Sequence, residues 1–80
     1  MSRHSFQHLT TITPGNRLLR VKTVQDKTGM SRPAIYAAIR RGTFPAPLPI
    51  GSQSVAWLEA EVDAWIQARL DARNTALAIS

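Results

Sequence analysis

The residues from Gly29 to Gly42 constrain this chain more than any others. They open Gly29-Met30-Ser31-Arg32-Pro33 and close Ile39-Arg40-Arg41-Gly42, a turn followed by a helix with both ends marked. Ser31 is suited to N-cap that helix, because its hydroxyl can accept from a first-turn N–H that has no intrahelical partner. Pro33 is tolerated just inside, since the N–H it lacks would have gone unbonded there anyway. Gly42 supplies the left-handed residue that commonly ends a helix. The predicted helix runs from about Arg32 to Arg41, with Ile35 and Ile39 on one apolar side at i, i+4 spacing. A shorter helix, about Lys22 to Thr28 with Val24 inward, is predicted before the tight turn at Gly29-Met30. This is the grammar of a helix-turn-helix. Its second helix presents Arg32, Ala34, Tyr36, Ala37, Arg40 and Arg41 for external use.

The remainder of the chain supplies support for that pair. Arg17-Leu18-Leu19-Arg20-Val21 leads in, with Leu18, Leu19 and Val21 available to a core. Lys22 stands where an N-cap would help the first helix, which is too short to be stable alone. From Thr43 to Trp57 the apolar period changes to two, and Gly51-Ser52-Gln53-Ser54 divides the stretch. A β-hairpin is predicted, its inner face Leu48, Ile50, Val55 and Trp57. Pro45, Pro47 and Pro49 suit an edge strand, and their spacing of two is not that of a PxxP ligand. Leu58 to about Arg73 is predicted as the longest helix, with Leu58, Val62, Trp65, Ile66 and Leu70 in one stripe. Residues 1–16 read as a loose arm, 17–73 as the folded domain and 74–80 as a frayed tail.

Charge separates along the chain. Up to Trp57 eight Lys and Arg face Asp26 alone; from Leu58 on, Arg69 and Arg73 face Glu59, Glu61, Asp63 and Asp71. A basic front with an acidic back points to an oriented polyanion binder. Cysteine is absent, which excludes disulfide frameworks and Cys-bearing zinc fingers. His4 and His8 have helical ligand spacing, but no nearby Cys or acid completes a metal site. No apolar run approaches the ~20 residues of a membrane span, and Met1–Leu9 has no apolar signal core. A cytoplasmic, nucleoid-associated protein is expected. The carboxylates of the last helix fit its dipole better than catalysis, since no nucleophile, metal triad or oxyanion loop accompanies them. Neither an enzyme nor a cofactor is expected.

The residues Arg20-Val21-Lys22-x-Val24, Thr28-Gly29-Met30-Ser31-Arg32, Ile35-Tyr36, Gly42-x-Phe44-Pro45-x-Pro47, Val55-Ala56-Trp57 and Glu61-Val62-x-x-Trp65 occur in that order. Together they resemble the AlpA family, small phage- and prophage-associated regulators similar in fold to the MerR and excisionase DNA-binding domains. The resemblance covers about Leu18 to Arg69. It implies a mainly α fold with a small β-hairpin, a winged helix-turn-helix in the order helix, turn, helix, hairpin, helix. It also implies a sequence-specific binder of double-stranded DNA, acting as a transcriptional regulator or as an excisionase. On that pattern the second helix enters the major groove and the hairpin tip touches backbone or minor groove. Ser31, Arg32, Ala34, Tyr36 and Arg40 then match the recognition helix, and Ser52, Gln53 and Ser54 the wing.

Lys22, Thr23 and Arg41 complete the candidate DNA-binding set. Arg32, at the helix start, can pair with guanine O6 and N7; as a bland alternative it is a solvated surface arginine. Arg40 and Arg41 suit phosphate, and they equally complement the helix C-terminus. Tyr36 lies at the edge of the core. Trp57 and Trp65 could stack bases, but both sit on apolar stripes and are expected inside. Head-to-tail association on DNA, with the Glu59–Asp63 face against a basic surface, is expected over a two-fold dimer. A module that partners an integrase or RNA polymerase without DNA affinity of its own is the competing reading.

Overall fold

A computed structural model of the chain describes residues 16–79, so all of the arm expected over residues 1–16 except Asn16 lies outside it. The helix-turn-helix punctuation sets the first half. Helix α1 spans Val21–Thr28, one residue earlier than the predicted start at Lys22. The reason is Arg20, whose extended backbone occupies the N-cap and whose carbonyl accepts from the Val24 N–H at 3.1 Å. Thr28 closes the helix by donating its hydroxyl to the Val24 carbonyl at 2.8 Å and accepting from the Met30 N–H. Gly29 follows at φ 75°, in the left-handed region that a glycine enters without strain. Helix α2 spans Arg32–Arg41, with Ser31 accepting from the Ala34 N–H at 3.2 Å and Gly42 at φ 77°.

A short strand β1, Leu18–Leu19, precedes the helices, where sequence suggested only a lead-in. It joins β2, Leu48–Pro49, and β3, Val55–Leu58, in an antiparallel sheet of order β1-β3-β2. Pro49 is accommodated because β2 is an edge strand. The register Leu48↔Ala56, Pro49↔Val55 divides the predicted inner face: Leu48 shares a side with Ala56, and Val55 and Trp57 share the other. Trp57 is fully buried, Leu48 and Val55 are half-buried, and Ile50 is 45% exposed. Alternation within each segment does not fix how the two strands pair, and the pairing found puts the Leu48 and Trp57 sides on opposite faces, with Ile50 just past the end of β2. Ala56 is fully buried although it points opposite to Trp57, so β3, the central strand, is covered on both sides.

Helix α3 spans Glu59–Ile79. Leu58, predicted as its first residue, ends β3 instead. The helix also continues past Arg73 through the stretch expected to fray, since no Gly or Pro follows Gly51 and residues 74–79 are rich in Ala and Leu. Its start is closed from the other end of the chain. The register Leu18↔Leu58 sets residues 16 and 17 beside residues 60 and 59. The Arg17 carbonyl accepts from the Glu59 N–H at 2.8 Å, and Asn16 Oδ1 from the Ala60 N–H at 3.2 Å. Leu58 has no side-chain acceptor of its own, so Asn16 fills the capping role across the sheet. Leu19, Val24, Ile35, Ala38, Phe44, Trp57 and Val62 form the core, with Trp65 and Ile66 half-buried against it.

Candidate nucleic-acid interface

Helix α2 carries the concentrated candidates. Ile35 and Ala38 are buried, which turns the opposite side outward. Arg32, Tyr36 and Arg40 follow one another at i, i+4 spacing along that side, and Arg41 ends the helix. Ser31, Arg32, Arg40 and Arg41 are exposed; Ala34 and Tyr36 are half-buried. Arg32 does not hang free. Its guanidinium lies over the Tyr36 ring at 5.8 Å, and Tyr36 meets Trp57 edge-on with centroids 6.0 Å apart. A buried tryptophan thus braces a tyrosine that steadies an exposed arginine. Periodicity alone gave no sign of that chain of contacts.

The other candidates lie elsewhere. Lys22 and Thr23 are in the first turn of α1, and Lys22 pairs with Asp26 at 3.1 Å. Ser52 and Gln53 are exposed at the hairpin tip, while Ser54 is half-buried and its carbonyl accepts from the Ile50 N–H at 2.9 Å. Neither tryptophan is a stacking platform. The Trp57 Nε1–H donates to the Pro45 carbonyl at 2.9 Å, and the Trp65 Nε1–H to the Thr43 carbonyl at 2.8 Å. The Trp65 ring is also packed against Phe44 and covered by Arg69. An open groove of about 400 Å³ beside Phe44 and Trp65 includes Glu61, a carboxylate that disfavours phosphate there.

Electrostatics sort the basic residues into two sets. Arg17 grips Glu59 through two bonds of 3.0 Å, and Lys27 reaches Glu59 at 2.9 Å and Asp63 at 2.6 Å. Hydrogen bonds from Arg17 and then Lys27 lower the Glu59 carboxyl from 4.5 to about 2. The bond to Asp63, then that to Glu59, raises Lys27. These pairs tie α1 and the lead-in to the start of α3. They also use two of the carboxylates that sequence offered for a head-to-tail contact, leaving Glu61 outside any ion pair among the described residues. Arg20, Arg32, Arg40 and Arg41 have no carboxylate partner among the described residues, and no acid lies between Asp26 and Glu59. Arg20 is the candidate that sequence reasoning missed, because nothing there distinguishes it from Arg17.

No group of three potential metal ligands occurs among the described residues, and His4 and His8 lie outside them. No described helix is long and apolar enough to cross a membrane.

Comparison with known proteins adds an independent line. The family profile described as Prophage CP4-57 regulatory protein (AlpA) matches residues 17–70. An uncharacterized protein of Enterobacteria phage P4, ORF88, is 46% identical over 58 residues, covering 72% of this chain and 66% of that protein. The DNA-binding transcriptional activator AlpA of Escherichia coli K12 is 41% identical over 59 residues, covering 66% of this chain and 84% of that protein. No solved structure gives a significant match.

Proposed function

The chain belongs to the AlpA family of prophage regulatory proteins, and from that premise we propose that it is a sequence-specific DNA-binding transcriptional regulator of a phage, prophage or integrative element. The observation that carries this reading is the outer side of α2, where Arg32, Arg40 and Arg41 stand exposed in a stretch without one acidic residue. The elements then act as a winged helix-turn-helix, with α2 in the major groove and the β2–β3 hairpin as the wing. Arg32, held over Tyr36, reads a base edge near the start of α2; Arg40 and Arg41 hold phosphate near its end. The start of α1 serves as a second phosphate site. It has no side-chain cap, so its free N–H groups, flanked by Arg20 and Thr23, suit an anion.

Footprinting on DNA from the chain's own genomic neighbourhood tests the proposal, and a discrete protected site is expected. No DNA affinity at low salt would return the protein-interaction reading, with an integrase or RNA polymerase as partner. A role as excisionase uses the same surface. Element excision and promoter activity, measured side by side with and without the protein, separate the two. Head-to-tail assembly on DNA now rests on Glu61 rather than the wider acidic face.

A further inference from the structure

The β2–β3 hairpin has a property that the basic front does not share: no charged residue occurs from Thr43 to Leu58. A wing without a cation gains little from phosphate. Its exposed groups are of two other kinds. Ser52 and Gln53 offer hydrogen bonds at the tip, and Ile50 stands 45% exposed beside them. The Ile50 backbone is fixed by its N–H bond to the Ser54 carbonyl at 2.9 Å, so the tip is a closed turn that presents the side chain in one place. The turn is also coupled to α2. Ser54 is three residues from Trp57, roughly 10 Å along a strand, and Trp57 touches Tyr36.

Resting on the DNA-binding reading above, we infer that Ile50 is an apolar DNA contact, buried against the deoxyribose walls of the minor groove next to the major groove that α2 occupies. On a duplex, phosphates line the groove rims and base edges fill the major groove. The minor-groove wall is the apolar surface against which an uncharged tip can bury an isoleucine. Ser52 and Gln53 then face the degenerate acceptors of the groove floor, which distinguish A·T from G·C only. The wing adds shape and composition preference, and it adds no counterion release.

The test uses the full chain and its footprinted duplex. Ile50→Ala is expected to weaken binding roughly tenfold, as the loss of one buried aliphatic side chain. Its melting temperature and the slope of log K against log salt should both stay at the wild-type values. Replacing A·T by inosine·cytosine under the wing alters the major groove but keeps the minor groove's acceptor pattern, so wild-type affinity should persist there and fall with G·C. An Ile50→Ala protein with wild-type affinity, or a loss accompanied by a shallower salt slope, overturns the inference while the DNA-binding reading stands. A wild-type protein with no salt-dependent affinity for any duplex overturns that reading itself.

Discussion

Arg32 and Arg40 are the same residue type on the same side of one helix, yet their surroundings differ. Arg32 is held over Tyr36 near the N-terminus of α2; Arg40 lies in the last turn, where a cation also complements the helix dipole. Arg32→Ala should therefore cost ~1–3 kcal/mol of discrimination at one base pair, and Arg40→Ala should weaken all sequences alike. Competition binding against a panel of single-base variants decides this. A uniform loss for Arg32→Ala would remove it from base readout. That both arginines stand exposed on α2 was legible in the sequence, since charge and helix position are local. The brace beneath Arg32 was not legible, because Trp57 lies far along the chain and meets Tyr36 only after the sheet forms.

At the scale of elements, the start of α3 shows how one piece depends on another. Asn16 caps it through the Ala60 N–H, and the β1–β3 register makes that reach possible. Asn16→Ala should destabilise the fold by ~1 kcal/mol, the usual cost of a lost cap, and a chemical denaturation curve measures it. Asn16→Asp should retain the stability, since a carboxylate accepts the same bond and favours the helix N-terminus. Both helix ends at Gly29 and Gly42 were legible, being marked by residues that enter the left-handed region freely. Strand β1 was not: two leucines have no period, and only pairing with β3 makes them a strand.

For the molecule as a whole, charge pairing governs two behaviours. Arg17, Lys22 and Lys27 are paired with carboxylates, whereas Arg20, Arg32, Arg40 and Arg41, all ahead of Thr43, are not. Neutralising about four phosphates gives a slope of log K against log salt of about −3 to −4. Fluorescence anisotropy across a salt series checks it, and a slope near zero would rule out electrostatic binding. The same pairs set the acid limb of stability. Glu59 titrates at about 2 in the folded chain against an ordinary 4.5, so its contribution is complete above 4.5 and is lost as pH falls toward 2. Glu59→Gln should flatten the pH dependence of the melting temperature across that window. An unchanged acid limb would show that the Arg17–Glu59–Lys27 cluster does not hold α1 to α3.

Sequence by itself determined the helix-turn-helix: its caps, its turn glycines, the inward Val24 and Ile35, and the basic outer side of α2. Those features depend on neighbours within one or two turns, which is the range over which capping, φ preference and helical period act. Tertiary structure decided which basic residues remain available, because Lys27 meets Glu59 and Asp63 only when α1 docks on α3. It likewise decided that Ile50 stands out from the sheet. Alternation says which residues within one strand share a face, but pairing sets how two strands combine, and the register Leu48↔Ala56 puts Leu48 and Trp57 on opposite faces with Ile50 past the end of β2.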